Sequence, residues 1–385
     1  MDLICFSHLR WNFVYQRPQH LMSRFSRHSR VFFVEEPVFE NITASRMELT
    51  SKSNTLTIAT PHLQHGLSEQ EVVFQQVRLL RELFANEQVI SYSFWYYTPM
   101  ALAIGNAFSP DMVIYDCMDE LSLFKFAPPA LRDREKELFS KADIVFTGGY
   151  NLFYAKQRSH HNIYPFPSSI DKEHFIKARR FEGDPPDQQG IPHPRFGFYG
   201  VIDERFDIDL IKGVAEKRPD WHFIILGPIV KIDPEILPRM DNIHYPGGKN
   251  YDELPSYLGG WDIAIIPFLL NDSTKYISPT KTPEYLAGGK PVISTSITDV
   301  VTPYGVNNLV HIADSQDEFI RAAEIELGKT DRSQWLKKVD LFLSQNSWDK
   351  TWGQMAELIR QTRDTKKNIK MNTILSTLNK ENIYV

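Results

Sequence analysis

The residues with the most chemical content lie in Ser278–Thr295, SPTKTPEYLAGGKPVIST, where Lys281 and Glu284 stand three positions apart. A helical pattern opens there and is stopped after barely two turns by Gly288-Gly289, and an apolar strand pattern follows. Thr282 reads as the N-cap and Pro283 as the first helical residue, where a missing N–H costs nothing. The start of a helix presents free N–H groups and the positive end of its dipole, which suits a phosphate, and Lys281 adds a cation beside it. Glu284 would repel a phosphate placed on top of it. Its two carboxylate oxygens instead suit two adjacent hydroxyls. A phosphate beside a vicinal diol describes the ribose end of a nucleotide.

The elements that must position these groups follow from the apolar runs. Ile263–Pro267 reads as a strand, Pro283–Ala287 as a helix and Val292–Thr295 as the next strand, a βαβ crossover whose loop leaves the carboxyl end of its strand. In the first half, strand-like runs occur at Leu3–Phe6, Val31–Val34, Thr55–Ala59, Val89–Tyr92, Val113–Tyr115, Ile144–Thr147 and Ile163–Phe166. Helix-compatible segments such as RPQHLMSRFSR and VVFQQVRLLRELFA lie between most of them. The rhythm pauses at the proline-rich FEGDPPDQQGIPHP and resumes at Phe196–Tyr199, Phe223–Leu226, Ile243–Tyr245, Ile263–Pro267, Val292–Thr295 and Leu309–Ile312. Alternation of this kind predicts two α/β domains with parallel sheets, residues 1–180 and 196–346, joined by a linker at 181–195 and facing a central cleft. Residues 347–385 read as a helix, with Ser347 as N-cap and Trp348, Trp352, Met355 and Ile359 on one face, crossing back to the first domain, plus a tail.

Bulk properties narrow the function. At 385 residues, two domains are expected. A net charge of −5 gives no global field to attract nucleic acid, so no nucleic-acid partner is expected. Two cysteines, Cys5 and Cys117, make neither a disulfide framework nor a metal knuckle and read as buried thiols of a cytoplasmic protein. No signal peptide and no run long enough to span a membrane are read, so membrane work would be peripheral. The loop Ser7–Pro18 has no glycine, which argues against a dinucleotide fingerprint there.

PTKTPEYLAGGKPVIST resembles the donor-site segment of GT-B glycosyltransferases of family 4, and the chain is similar to those that make bacterial surface polysaccharides of the teichuronic-acid type. FSHLRWNFVYQRPQHLMSRF, VIYDCMDE, FYGVIDERFDIDLI, EKRPDWHFIILGP and SWDKTW carry the resemblance through most of residues 1–352. It implies two Rossmann-like domains, a nucleotide diphosphate sugar (UDP- or GDP-sugar) as donor substrate, a glycan or lipid-linked acceptor, retention at the anomeric carbon, and neither metal nor other cofactor. The implied donor site gathers Glu284, Lys281, Thr280, Thr282, Ser278, Arg205, Gly200 and Gly248. In one respect the sequence departs from the family: a second glutamate, eight positions before Glu284, is here Tyr276.

On the acceptor side the resemblance puts a polar residue near YDCMDE, so Asp116 or Asp119 orients or deprotonates the acceptor hydroxyl, unless each only caps a helix or closes an ion pair. His8 and Arg10, with Trp11 beside them, stand at the end of the first strand and face the cleft or are satisfied buried groups. Arg205 either grips the diphosphate or pairs with neighbouring acidic residues on the surface. Asp207–Asp209 opens a helix and reads as capping rather than as a metal motif. Gly247-Gly248 is either a place for a base to approach the backbone or a plain turn, and His160-His161 reads as surface. Arg17, Arg24, Arg27 and Arg30 form a basic helix that suits anionic lipid or is merely solvated. The expected function is a hexosyltransferase. The alternatives are a sugar-nucleotide-binding protein that has lost catalysis, which Tyr276 keeps open, and a sugar-nucleotide 2-epimerase on the same fold.

Overall fold

The computed structural model describes residues 1–180 and 182–381. Phe181, the first residue of the expected linker, and the last four residues of the expected tail lie outside them. Two sheets are present. The first contains β1 (Asp2–Ser7), β2 (Val31–Glu35), β3 (Val38–Glu40), β4 (Arg46–Ser53), β5 (Leu56–Gln64), β6 (Tyr92–Tyr96), β7 (Met112–Cys117), β8 (Ile144–Thr147) and β9 (Ile163–Pro165). Its order is β3-β5-β2-β1-β6-β7-β8-β9, all parallel, with β4 added antiparallel to β5. The second contains β10 (Arg195–Tyr199), β11 (His222–Leu226), β12 (Ile243–Gly247), β13 (Ile263–Ile266), β14 (Val292–Ser294) and β15 (His311–Ile312), in the order β12-β11-β10-β13-β14-β15 and wholly parallel. The doubly wound α/β class read from the sequence is therefore the observed one.

Central strands covered on both faces need apolar residues at every position, not alternate ones. β1, DLICFS, and β8, IVFT, are buried throughout for this reason. Periodicity misplaced β6, expected at Val89–Tyr92 but running from Tyr92, because the helix before it continues to Asn86 and Gln88 turns the chain with φ 54°. β3 and β4 escaped the reading altogether. β4, RMELTSKS, is exposed along most of its length, so burial imposed no apolar signature on it.

Both sheets change winding direction at their centre, between β1 and β6 and between β10 and β13. Ligands of such sheets bind outside the carboxyl ends of strands at these points. Four loops leave those ends or the neighbouring β7: Ser7–Gln16, Met118–Phe126, Gly200–Asp207 and Pro267–Thr280, and all four contribute to one interdomain cleft.

The closing helix, Trp348–Glu381, packs on the first sheet's core through Trp348, Met355 and Ile359. Ser347 Oγ accepts from Lys350 N at 3.1 Å, and the Trp348 ring stacks on His20 with centroids 4.6 Å apart. The arginines near the helix Arg17–Phe25 do not form a free basic face. Arg17 binds Asp116, Arg24 and Arg27 share Asp349, and Arg30 binds Asp2. Segment 182–194 has no apolar period because its anchors are polar: fully buried Gln188 accepts from Trp261 Nε1 at 2.9 Å, and Asp184 pairs with Arg195 at 2.7 Å. His160, expected at the surface, is buried between the carbonyls of Asn162 and Ala142. Among the described residues no helix is long and apolar enough to cross a membrane.

Candidate active site

The helix after β13 runs Lys281–Ala287, two residues earlier than Pro283. Pro279 and Thr280 already form its first turn, their carbonyls accepting from Thr282 N at 3.3 Å and Glu284 N at 3.4 Å. Thr282 is thus inside the helix, not its N-cap. Its side chain is fully buried, away from the cleft, and its Oγ1 has no protein partner.

Lys281 and Glu284 both turn into the cleft, a cavity of about 830 Å³. Lys281 reaches toward Gly200, where a Cβ would overlap the lysine Cε. Gly200 has φ 145°, a backbone that only glycine takes readily, so the position is glycine on two counts. Across from it, Arg205 Nε and Nη2 grip Asp203 at 2.9 and 2.6 Å, and the guanidinium lies between the rings of Phe124 and Phe268, 5.2 and 5.9 Å from their centroids. Asp203 thus holds the arginine in one orientation.

Glu284 is only 5% exposed. Tyr199 Oη, at the end of β10, donates to its Oε2 at 2.7 Å. Burial raises the Glu284 carboxyl to about 8, partly opposed by that hydrogen bond and by Lys281. Burial and the Arg205 charge lower the Lys281 ammonium to about 8, partly opposed by Glu284, Asp203 and Asp119. The cleft therefore holds its cation and carboxylate close to their titration points. A ligand with its own charges decides which form each adopts.

On the facing wall, Asp119 and His8 both line the cleft. Burial raises Asp119 to about 6, partly opposed by Arg205. His8 is lowered to about 4 by burial and by Lys231, so it is neutral near pH 7, and its Nδ1 is buried without a protein partner. Asp116 is a different case. It is fully buried under the cleft floor and holds Arg17 bidentately, at 2.9 Å to Nε and 2.8 Å to Nη2, while Arg17 Nη1 donates to the Phe166 carbonyl at 2.7 Å. That ion pair consumes its acceptor capacity. Arg10 likewise turns from the cleft to Glu35 at 3.0 Å and the Pro37 carbonyl at 3.3 Å, while Trp11 remains on the wall. Ser278, Thr280 and Gly248 line the cleft as well, Ser278 lending its carbonyl to Ser168 Oγ at 2.6 Å.

Of the candidates, then, Asp116, Arg10 and Thr282 stand outside the cleft and the rest line it. Tyr199, Phe124 and Tyr251 were not read from the sequence, and Asp203 was read only as one of the acidic neighbours with which Arg205 could pair. Tyr199 ends an apolar strand and looked like core, and Phe124 belongs to the other half of the chain. Tyr276, standing where the family has its second glutamate, does not line the cleft but packs on the hydrophobic core of the first sheet. Among the described residues no group of three or more His, Cys, Asp or Glu is placed to hold a metal ion.

Residues 194–329 match the family model described as glycosyl transferases group 1. The Bacillus subtilis (strain 168) protein TuaH, named as a teichuronic acid biosynthesis glycosyltransferase, is 27% identical over 289 residues, 70% of this chain and 68% of its own length. Among solved structures, sucrose-phosphate synthase from Thermosynechococcus elongatus superposes with a TM-score of 0.68 at 15% identity, covering 94% of this chain and 98% of that one. The E. coli trehalose-6-phosphate structure bound with UDP-2-fluoro glucose gives 0.67 at 9%, covering 94% and 99%. WaaG, a glycosyltransferase involved in lipopolysaccharide biosynthesis, gives 0.61 at 13%, covering 93% and 99%. At such identities the structural likeness speaks for the fold, and the fold is GT-B.

Proposed function

Because this chain is a glycosyltransferase of the GT-B fold, we propose that it moves a sugar from a nucleotide diphosphate donor to a hydroxyl of a glycan or lipid-linked acceptor, in the building of a bacterial surface polysaccharide. The observation that carries this reading is the convergence of Arg205, Lys281 and Glu284 in one cleft between the two sheets. Breaking the bond to the anomeric carbon leaves negative charge on the departing diphosphate. Arg205, pre-oriented by Asp203, and Lys281 are the cations that stabilise it, and such fixed charge is usually the largest single contribution to the rate. Glu284 accepts from the ribose hydroxyls through the capacity that Tyr199 leaves open.

On the acceptor side, neutral His8 offers Nδ1 as a hydrogen-bond acceptor to the incoming hydroxyl. Asp119, with a carboxyl near 6, is the group suited to receive a proton near neutral pH. Retention at the anomeric carbon and independence of a metal are carried over with the family resemblance, and the two cations at the diphosphate end fit the latter.

Titration with UDP, GDP and ADP, followed by a turnover assay with the matching sugar nucleotides, tests the reading. Glu284→Ala removes the diol acceptor and leaves Tyr199 Oη unpaired, so nucleotide affinity is expected to fall about tenfold or more. A variant that keeps its Tm and binds nucleotide as tightly as the parent would remove Glu284 from the site.

A further inference from the structure

The charges on the cleft wall are not evenly matched. Arg17 is paired with Asp116 and Lys249 with Asp187, and Arg205, the cation assigned above to the diphosphate, is held by Asp203. Lys281 lies within electrostatic reach of Glu284, Asp203 and Asp119. Lys231, in the loop after β11, has no carboxylate within ion-pair distance among the described residues, although its side chain lines the same cleft. Glu204, the acidic group of the facing loop, lines the cleft too: its Oε1 accepts from Lys125 N at 3.1 Å, its Oε2 is buried without a protein partner, and its charge acts on Arg205.

The backbone of Lys231 is held in place, while the residue itself is exposed. Its backbone adopts φ 63°, a conformation that a non-glycine residue takes at a cost and that persists only where the surroundings dictate it. Its carbonyl accepts from Lys125 Nζ at 3.2 Å, a bond made by the opposite half of the chain. Its ammonium stands 5.5 Å from the centroid of Phe124, the ring that also meets Arg205 at 5.2 Å. Two cations thus flank one aromatic ring, Arg205 with a carboxylate and Lys231 without. The charge of Lys231 acts on His8, at the end of β1 on the acceptor wall, whose buried Nδ1 has no protein partner.

From these observations we infer that the cleft contains a second anion site, centred on Lys231 beside His8, which takes a carboxylate or phosphate group carried by the acceptor saccharide. The inference rests on the transferase reading above, because it treats the wall around His8 as the acceptor's. An acceptor bound there pairs its negative group with Lys231 and turns a hydroxyl toward His8 Nδ1. A neutral sugar leaves the ammonium without a counter-charge and gains only the hydroxyl contact.

Calorimetric titration of the full chain, first with UDP, GDP and ADP and then, loaded with the nucleotide that binds, with three sugars tests this. Methyl glucuronide supplies a carboxylate, glucose 6-phosphate a phosphate and methyl glucoside neither. At least one of the two anions is expected to bind about tenfold tighter than the neutral sugar, and the one that does identifies the source of the charge. Lys231→Ala should abolish that preference without changing nucleotide affinity, and Lys231→Arg should keep it. Equal binding of charged and neutral sugars, or no binding of any, overturns the inference while leaving the donor site standing. A Lys231→Ala variant that loses nucleotide affinity overturns it too, because the cation then belongs to the diphosphate. Failure of the parent chain to bind any nucleotide overturns the transferase reading itself, and this inference with it.

Discussion

Lys281 and Glu284 occupy adjacent turns of one helix, and the cleft moves both away from their ordinary proton affinities. Burial brings both near 8, from opposite directions. A bound diphosphate favours the protonated lysine, so its proton affinity rises on binding. A group whose bound-state value is raised contributes fully below its free-state value and loses that contribution as pH rises through the bound-state value. Nucleotide diphosphate affinity should therefore hold below about pH 8 and decline above it. Lys281→Met should bind more weakly and show no such decline between about pH 7 and 9.5. Titrations at several pH values check both, and a parent affinity that stays level through this range would detach Lys281 from the diphosphate. At this scale, residue type and spacing made Lys281 and Glu284 legible. What spacing could not supply was Tyr199, 85 residues away, whose hydroxyl fixes one oxygen of Glu284.

Elements position these residues through strand ends. β10 delivers Tyr199, Gly200 and the loop with Asp203 and Arg205, while β13 leads into the loop that ends at Lys281. The second sheet is kept whole at its far edge by Glu326, on the helix Gln316–Leu327, which accepts from His311 of β15 at 2.6 Å and Lys329 at 2.6 Å. These partners pull its carboxyl down from an ordinary 4.5 to about 2. A depressed carboxylate contributes stability above its unfolded value and loses it as pH falls through the folded one. Glu326→Gln is expected to cost about 1–3 kcal/mol at pH 7, read as a lower Tm. The gap between variant and parent should shrink as pH falls from about 4.5 toward 2. A constant gap across that range would assign the effect to packing instead. Sequence patterns found the buried strands because burial on both faces demands unbroken apolar runs. They missed exposed β4, and they placed the helix start at Pro283 because proline at the first position is a local preference, overridden here by the turn at Pro279.

At the scale of the whole molecule, the cleft exists because the two halves are pinned beside it. Asp299, after β14, accepts from Tyr150 N at 3.1 Å and Asn151 N at 3.2 Å, both from the first half. Gly149 makes this approach possible: a Cβ there would run into the Asp299 carboxylate and sit 3.1 Å from Ser278 Cβ. Its backbone is extended, with φ −168°, so the glycine is required for closeness and not for conformation. Gly149→Val should wedge the halves apart, giving a larger radius of gyration by small-angle scattering and a lower kcat/KM, with each half still folded by circular dichroism. An unchanged radius would mean that this contact does not set the closure.

The sequence alone determined the number of sheets, their α/β class, the order of most strands along the chain and the spacing of Lys281 and Glu284, which both line the cleft. Each of these is written locally, in runs of burial, in helix-opening residues and in short spacings. Tertiary structure alone decided which polar residues reach a common space. Asp116 and Asp119 stand three positions apart, yet one is locked to Arg17 beneath the floor and the other lines the cleft. Lys231 and His8 are more than two hundred positions apart, yet the charge of one acts on the ring of the other. The direction a side chain takes at a strand end depends on the partner that meets it there, and that partner comes from the other half of the chain.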